Sequence, residues 1–348
     1  MSMLRAYSRA FTIRRLVNEI RCLMSYMLSR RNVRYFRHSP CFISVEPANF
    51  CQLSCPECHV GSHHRKTNEQ HLLKPELLEA ILDEIAEKTH TVQFFFQGEP
   101  TLNKQLPEFI ALANKHRMVT IVSTNAQAIN REFAFRLVKA GLSKIIVSLD
   151  GLTQQTYELY RKGGKIQRVF DALEFFAEAK RQYNTYLQIE LQCLLLKTNQ
   201  HEWSAFKKQY RRLGATNLSF KTAQVTNTDN YATFVPENEK FARYRRLPDG
   251  TYQLRRRLSN RCLRLWRGAV ITAEGHVLPC CFDKAELFPY GRLMPQQCTT
   301  NHSVEKQNYQ SETSSSLLSV WLSDAAMSFR QRLLCSRKLI SICQNCTE

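Results

Sequence analysis

Six short apolar runs alternate with segments of helical periodicity between about Cys41 and Val225, and this alternation constrains the fold more than any other feature of the chain. Repeated strand–helix units of this kind build a parallel sheet covered by helices. The runs are CFISVEP, TVQFFFQ, MVTIVST, SKIIVSL, YLQIELQCLLL and TNLSFKT. Because a closed barrel of this type needs eight units, the sequence predicts an α/β fold built on a partial (β/α)6 TIM-like barrel, with a small cysteine-rich C-terminal domain.

The pattern along the chain predicts four regions. They are a basic N-terminal segment at 1–40, the barrel at 41–228, an arginine-rich linker at 229–260 and the cysteine-rich domain at 261–348. Helix signals support the barrel, because Pro75 suits a first helical turn, and Asn130 and Gly141 can cap the two ends of one helix.

Composition limits the compartment and the partners. The 348 residues include 13 cysteines, but arginines interrupt the N-terminal stretch, which argues against a secretory signal and so against disulfides. No uncharged apolar run reaches the roughly 18 to 20 residues of a membrane span. We therefore expect a reducing, cytoplasmic environment. The net charge of +19 favours anionic partners without selecting among nucleic acid, phosphorylated metabolites and membrane surfaces. Neither G-x-G-x-x-G after a strand nor G-x-x-x-x-G-K-[ST] occurs, which disfavours those nucleotide-binding folds.

Three cysteines follow the first predicted strand, where parallel α/β folds bind ligands. They are Cys51, Cys55 and Cys58, spaced C-x3-C-x2-C in CQLSCPECHVG. A zinc site takes four tetrahedral ligands, and His59, adjacent to Cys58, is poorly placed to complete one. Three thiolates suit an iron–sulfur cubane whose fourth iron stays open for a substrate or cofactor.

This motif, at the end of a first strand in a partial barrel, resembles that of the radical SAM enzymes. The resemblance implies a 4Fe–4S cluster whose open iron binds S-adenosyl-L-methionine. It implies reductive cleavage of that cofactor to a 5'-deoxyadenosyl radical, which abstracts a substrate hydrogen, and a reducing electron donor such as flavodoxin or ferredoxin. Glu57 departs from the family, in which an aromatic residue often precedes the third cysteine.

The stretch QGEP follows the second strand. Its Gly98 and Glu99 are similar to the G-G-E-P element of the family, where backbone and a carboxylate hold the ammonium group of the cofactor. Gln97 replaces the first glycine of that element. The resemblance therefore implies a cofactor-binding role for Gly98 and Glu99.

Later strand ends carry further candidates for cofactor binding. Asn125 lies in STNA, close to the T-N-G of the family, and Ser148 and Asp150 in SLDG are candidate contacts to ribose or substrate. Arg161 resembles an arginine that meets the cofactor carboxylate in related enzymes. Strand-end Asn and Ser are also common turn formers, so a purely structural role is the alternative for Asn125 and Ser148.

A second cysteine set lies towards the C-terminus. The arrangement is similar to the SPASM extension of radical SAM enzymes, and it implies one auxiliary 4Fe–4S cluster held by Cys262, Cys280, Cys343 and Cys346. A structural zinc site with the same four ligands is the alternative, and Cys281 could replace Cys280. The remaining cysteines are interpreted as spare thiols: Cys22, Cys41, Cys193, Cys298 and Cys335.

Together these features predict a radical SAM enzyme, of oxidoreductase or maturase type, with a SPASM-like domain. By resemblance to the better understood enzymes that contain this domain, we expect its substrate to be a peptide or protein side chain. A carbohydrate or other small metabolite is the alternative. The alternative to an enzyme is a noncatalytic, zinc-stabilised nucleic-acid-binding protein. The net positive charge and the arginines between Arg243 and Arg267 suggest it.

The N-terminal residues 1–40 carry nine arginines and one acidic residue, Glu19. Apolar residues fall near helical spacing, so we expect an amphipathic helix with a basic face. They are Leu4, Tyr7, Phe11, Leu16, Ile20, Leu23 and Met27. One expectation is that this helix packs on the open barrel with its arginines in water. The other is that it also docks an anionic surface: a leader peptide, an acidic partner protein or a membrane leaflet.

Overall fold

A computed structural model describes residues 2–29, 32–61, 69–256, 258–294, 313–314 and 316–347. Its helices are α1 (Ser2–Ala10), α2 (Ile13–Leu28), α3 (Pro75–Ile85), α4 (Leu106–Lys115), α5 (Arg131–Lys139), α6 (Gln154–Tyr160), α7 (Ile166–Gln182), α8 (Trp203–Gln209), α9 (Tyr231–Phe234), α10 (Leu263–Arg267), α11 (Leu317–Trp321), α12 (Asp324–Ser336) and α13 (Ser341–Gln344). Its strands are β1 (Phe42–Val45), β2 (Thr91–Phe94), β3 (Val119–Thr124), β4 (Lys144–Ser148), β5 (Gln188–Leu195), β6 (Asn217–Thr222), β7 (Tyr244–Arg246), β8 (Tyr252–Leu254), β9 (Gly268–Ile271), β10 (His276–Leu278), β11 (Gly291–Leu293) and β12 (Thr313–Ser314).

Strands β1 to β6 form the parallel sheet that the sequence predicts. They lie side by side in chain order, and each neighbouring pair is parallel. Helices α3 to α8 connect them. The predicted caps are present in α5, where Asn130 accepts a hydrogen bond from the Phe133 amide at 2.8 Å and Gly141 follows with a φ of +95°. The predicted α/β fold with a partial barrel is therefore confirmed.

The cysteine-rich C-terminal region extends the same sheet. Strand β9 pairs in parallel with β1, and β10, β11 and β12 continue outward, which gives a ten-stranded sheet in the described part of the chain. Gly268 allows the close approach of β9, since a Cβ there would lie 2.6 Å from the Phe42 carbonyl oxygen. Trp266 and Trp321 are fully buried in the core that the barrel and this region share.

Residues 229–260, predicted as a linker, contain α9 and the antiparallel hairpin β7–β8. Phe234 and Tyr244 from this segment are buried in a second apolar cluster together with Leu53 and Cys55. Since Leu53 and Cys55 belong to the first cysteine motif, the segment packs directly against that motif.

The N-terminal segment differs from its prediction. It forms two helices, α1 and α2, instead of one. All seven apolar residues predicted to define its apolar side are between 42% and 76% exposed, whereas Arg15 is 5% exposed. The expected packing of the apolar side on the barrel is therefore wrong, whereas Arg15 is the exception to the exposure expected for the arginines, since Arg5, Arg9, Arg14 and Arg21 are exposed.

The hydrogen bonds of Arg15 explain this orientation. The last carbonyls of a helix lack partners within the helix. Arg15 donates to the Ala86 oxygen just after α3, through Nε at 3.1 Å and Nη2 at 2.7 Å. It also donates to the His116 oxygen at 2.7 Å and the Arg117 oxygen at 3.0 Å, just after α4. A cation at two helix C-termini also interacts favourably with both helix dipoles. These bonds turn the polar side of α2 inward and leave its apolar side outside.

Candidate active site

The first three cysteines lie on the loop that follows β1. Cys55 is buried, and Cys51 and Cys58 are half-buried. The Leu53 amide donates to Cys51 Sγ at 3.4 Å, and the Cys58 amide donates to the Cys55 oxygen at 3.1 Å. Gly61 completes the loop at a position where a Cβ would lie 2.6 Å from the Cys55 nitrogen. The loop is compact and presents its thiols at the carboxyl end of β1.

These thiols fit an iron–sulfur cluster better than a single ion. Among the described residues, no group of three or more His, Cys, Asp or Glu side chains is arranged to hold one metal ion. A cubane needs only three protein thiolates, each on a different iron, and leaves the fourth iron open. Burial raises the pKa of Cys51 to about 12, so a thiolate here requires a bound cation to compensate for its lost hydration.

The QGEP loop after β2 is held close to the chain that follows β1. A Cβ on Gly98 would lie 2.0 Å from the Ala48 oxygen, so only glycine fits. The amides of Gln97 and Gly98 each donate to Glu46 Oε1 at 3.1 Å. Burial raises the pKa of Glu46 to about 7, although these backbone donors lower it. The sequence analysis did not identify Glu46 as a candidate, although it directly follows the first strand, where functional residues are expected.

Glu99 is buried and joins the loop after β2 to the end of β3. Its Oε1 accepts hydrogen bonds from the Thr101 amide at 3.1 Å, the Thr101 hydroxyl at 2.6 Å and the Thr124 hydroxyl at 2.6 Å. Its Oε2 accepts from the Asn125 amide at 2.8 Å. Burial raises the pKa of Glu99. Because Oε2 can accept a second hydrogen bond, the contact to the cofactor's ammonium stays a prediction that this geometry permits.

Asn125, at the end of β3, contacts the cysteine loop. Its Nδ2 donates to Cys51 Sγ at 3.3 Å, and its Oδ1 accepts from Gln52 Nε2 at 3.2 Å. Hydrogen bonds to ligand sulfurs influence the reduction potential of an iron–sulfur cluster. The structure thus brings Asn125 to the cysteine loop, and its predicted contact to the cofactor is untested.

The buried Asp150 and the half-buried Arg161 form an ion pair beside Cys55. Arg161 Nε lies 2.5 Å from Asp150 Oδ2, and the Leu194 amide donates to Asp150 Oδ1 at 2.7 Å. Burial lowers the pKa of Arg161, but Asp150 and the Cys55 thiol raise it, and the net result is well above its ordinary value. Arg161 is therefore a permanent cation next to a cysteine of the motif. Ser148, the last residue of β4, is half-buried, and its role stays a prediction.

Glu57, the departure from the family pattern, connects the cysteine loop to the chain after β6. Its Oε2 accepts from the Thr226 amide at 2.6 Å, the Thr226 hydroxyl at 2.9 Å and the Asn227 amide at 3.4 Å. Its Oε1 accepts from Asn230 Nδ2 at 2.5 Å. The carboxylate is thus a structural anchor. Sequence reasoning missed this role because Thr226 is 169 positions away.

The cysteines of the second set come from separate elements of the fold. Cys262 precedes α10, Cys280 follows β10, Cys343 lies in α13 and Cys346 comes just after it. Burial raises the pKa of Cys262, Cys280 and Cys343, and other thiols of the same set raise each of them further. The Cys262 thiol therefore lies within electrostatic range of Cys280, Cys343 and Cys346, and joint binding of a cluster by these four cysteines stays a prediction. Arg337, which the sequence analysis missed, donates to Cys346 Sγ at 3.3 Å.

The cysteines interpreted as spare lie elsewhere. Cys22, Cys41 and Cys193 are buried in the main core. Cys335 is exposed on α12. Cys298 lies outside the described residues.

A cavity of about 520 Å³ is lined by residues that neighbour Cys58, Cys281 and Cys343 in the chain. Glu57 and Thr226 line one part of it, and Lys284, on the loop that follows Cys281, lines another. Burial lowers the pKa of Lys284, while the thiols of Cys58 and Cys281 act to raise it. The Glu57 carboxylate in the same cavity also acts to raise the pKa of Lys284, while Arg243 acts to lower it. The cavity therefore offers a cation near thiols of both cysteine regions.

Comparisons with known proteins agree with this geometry. A family model described as the radical SAM superfamily matches residues 45–189, and the SPASM model, described as an iron–sulfur cluster-binding domain, matches residues 262–347. The chain combines a radical SAM domain with a SPASM domain. The cofactors of the radical SAM domain are a 4Fe–4S cluster and S-adenosyl-L-methionine, and the SPASM domain binds auxiliary iron–sulfur. The resemblance found in the sequence is confirmed.

Several characterised proteins are similar to parts of the chain. Fe-coproporphyrin III synthase of Methanosarcina barkeri is 36% identical over 111 residues, which are 32% of this chain and 27% of that protein. PqqA peptide cyclase of Granulibacter bethesdensis is 32% identical over 125 residues, which are 36% of this chain and 32% of that protein. The matched part thus spans about a third of these relatives or less. Streptococcus suis SuiB bound to S-adenosylmethionine shares the fold, with a TM-score of 0.57 and 15% identity over 88% of this chain and 72% of SuiB.

Proposed function

We propose that the protein is a radical SAM enzyme that removes a hydrogen atom from a peptide or protein side chain bound between its two clusters. The observation that carries this proposal is the cavity of about 520 Å³ whose lining joins Glu57 and His59 of the first cysteine loop to residues next to Cys281 and Cys343. A substrate there would meet the first cluster on one side and the auxiliary cluster on the other.

The chain's own residues would hold and orient the reacting groups. Cys51, Cys55 and Cys58 would bind the first cluster, and the Asn125 amide at 3.3 Å from Cys51 Sγ would fix one of its ligands. When bound, the cluster and S-adenosyl-L-methionine supply an electron and a hydrogen-abstracting radical. The half-buried Arg161 would add a fixed positive charge beside Cys55, next to the negatively charged cluster and the cofactor carboxylate.

Cys262, Cys280, Cys343 and Cys346 would bind the auxiliary cluster. Four thiolates occupy all four irons, which leaves a closed cluster suited to electron transfer. Arg337, whose guanidinium donates to Cys346 Sγ, would stabilise the reduced and more negative state of that cluster. These roles follow from the donor set and await measurement.

Two features support a peptide substrate. One relative, PqqA peptide cyclase, is named for its action on a peptide. In addition, Lys284 lines the cavity, and an aspartate, glutamate or C-terminal carboxylate of a bound peptide could accept a hydrogen bond from it. A charge-assisted hydrogen bond of this kind contributes about 1.5 to 3 kcal/mol.

The central test uses the full chain, purified and reconstituted without oxygen. We expect about eight irons per chain and formation of 5'-deoxyadenosine from S-adenosyl-L-methionine with dithionite. Replacing Cys51, Cys55 and Cys58 by Ala should remove about half of the iron and all of this cleavage. Cys335→Ala, at an exposed cysteine of α12, is the matched control and should change neither quantity. Cleavage that survives the triple substitution would refute the proposal.

The substrate class is tested separately, with peptides encoded beside the gene and with small carbohydrates as the alternative. Peptide modification should appear as a mass change that requires both S-adenosyl-L-methionine and the first three cysteines. With a reactive peptide in hand, Lys284→Met should raise KM by about ten-fold or more, and Lys284→Arg should restore part of the loss. A mass change on the carbohydrate alone would reject the peptide.

A further inference from the structure

Helix α2 exposes a continuous apolar stripe along its whole length. Eight residues of the stripe are between 39% and 75% exposed. They are Ile13, Leu16, Val17, Ile20, Leu23, Met24, Met27 and Leu28. At about 100° per residue they fall within an arc of about 140°. A contiguous exposed face of this kind marks an interaction site.

The opposite side of α2 is already engaged by the protein. Arg15, Asn18, Cys22 and Ser25 are its buried residues. Besides the bonds of Arg15, Asn18 Nδ2 donates to the Ser39 oxygen at 3.0 Å and to the Lys88 oxygen at 3.2 Å. Rotation of the helix to bury its stripe would break these bonds, so the stripe is a permanent outer face.

The charge around the stripe identifies the kind of surface that would cover it. Arg14 and Arg21 lie along one edge, where Arg14 also forms an exposed ion pair with Glu87, and Arg5 and Arg9 on α1 are exposed as well. Residues 1–40 contain a single acidic residue, and that residue, Glu19, turns inward to His90 at 2.8 Å and Arg267 at 2.5 Å. The outer side of this segment is therefore apolar and basic without an opposing carboxylate of its own.

We propose that α2 docks on an anionic lipid membrane, with its stripe among the upper acyl chains and its arginines at the phosphates. The helix has 16 residues and is about 24 Å long, too short to span a hydrocarbon core of about 30 Å. No helix in the described part of the chain is long and apolar enough to cross a bilayer. A helix with this distribution of apolar and basic residues lies in the plane of the interface.

Docking in this way would leave the cysteine loop accessible. Through Asn18, α2 contacts residues that precede β1 and β2, and through Arg15 it contacts residues that precede β3. These contacts lie at the amino ends of the strands, whereas the first cysteine loop lies at the carboxyl end of β1. The membrane would therefore face away from the first cluster. This proposal is independent of the substrate.

The test is sedimentation of the full chain with phosphatidylcholine vesicles that contain either no anionic lipid or about 30% phosphatidylglycerol. We expect binding to the anionic vesicles only, weakened at 0.5 M salt because screening reduces charge attraction. Leu16→Glu combined with Ile20→Glu should lower the partition coefficient at least about ten-fold. Leu322→Glu is the control, because Leu322 is 42% exposed and Leu16 44%, and it should bind like the wild type.

Iron content and the midpoint of thermal unfolding verify that each variant is folded. Arg21→Gln supplies a second, milder change that should weaken binding to the anionic vesicles a few-fold. Equal recovery with both kinds of vesicle, or with neither, would overturn the proposal. So would a dimer in light scattering that the double substitution converts to a monomer, since the stripe would then be covered by a second copy of this chain.

Discussion

Replacement of Glu57 by Ala should loosen the cysteine loop and the chain after β6 together. The substitution removes a carboxylate that accepts hydrogen bonds from Thr226, Asn227 and Asn230. The Thr226 hydroxyl and the Asn230 amide can turn towards water. The backbone amide of Thr226, which donates at 2.6 Å, is partly buried and cannot easily do so.

The magnitude follows from these contacts. Hydrogen bonds to a charged group contribute about 1.5 to 3 kcal/mol each, and a buried amide left without a partner costs about 1 to 3 kcal/mol. The weak contact to Asn227 at 3.4 Å adds little. Because the Thr226 hydroxyl and the Asn230 amide can bond to water instead, the loss at the Thr226 amide dominates. We therefore expect the free energy of unfolding to fall by about 3 to 5 kcal/mol. With an unfolding entropy of about 2.1 cal/mol/K per residue, a chain of 348 residues should lose about 4 to 7 °C in Tm.

Glu57→Gln is the matched control. Its amide oxygen can accept from Thr226 in place of Oε2, while its NH2 group can donate to Asn230 once the Asn230 amide turns its oxygen round. The Gln variant should therefore lose less than about 2 °C. Both variants are compared by scanning fluorimetry of anaerobically reconstituted protein, and iron release to a chelator is followed in parallel, because Glu57 adjoins Cys58. If the Ala variant melts within about 1 °C of the wild type, the anchoring role of Glu57 is refuted.

Three further predictions concern the other sites. Cys343→Ala with Cys346→Ala should remove the auxiliary metal while the first cluster still cleaves cofactor reductively, and loss of zinc instead of iron in metal analysis would reject the cluster. Glu99→Gln should weaken S-adenosyl-L-methionine binding by up to about 2 kcal/mol with both clusters retained, and an unchanged Kd in calorimetric titration would remove Glu99 from the cofactor site. Burial raises the pKa of Glu46 from its ordinary 4.5 to about 7, so the folded chain binds the extra proton between these pH values. The stability associated with Glu46 is then highest below about pH 4.5 and falls by on the order of 3 kcal/mol as the pH rises through about 7. Glu46→Gln should flatten that slope in urea unfolding, and an unaltered slope would contradict the assignment.

The parallel strands were predictable because burial on both faces requires short apolar runs, and helices between them require a different period. Strand-end positions followed from the same pattern, since parallel strands direct their carboxyl ends to one edge. The same pattern could also have predicted strand β9. GAVI is a short apolar run, and Gly275, with a φ of +92°, follows it at a position that suits a turn. In this region the spacing of the cysteines is the more prominent sequence pattern, and it predicts a metal site but no strand.

Other features could not be predicted from local pattern. The spacing of apolar residues on α2 predicts an amphipathic helix, but the same spacing fits either orientation on the barrel. The orientation depends on carbonyl groups after α3 and α4 that Arg15 reaches, and these lie 71 and 101 positions away. Glu57 and Thr226 form a similar long-range contact. Polar contacts between distant segments leave no periodic trace in a sequence.

The pairing of β1 with β9 links the two cysteine regions of the chain. Strand β1 leads into the loop of Cys51, and β9 follows the helix that begins after Cys262. The two strands are hydrogen-bonded neighbours from Phe42 opposite Gly268 to Val45 opposite Ile271. Adjacent strands lie about 4.8 Å apart, and a slip in register would turn every side chain to the other face. The register therefore fixes the carboxyl end of β1, from which the Cys51 loop starts, relative to the amino end of β9, which Cys262 precedes, so a change in this pairing would displace both cysteine regions together.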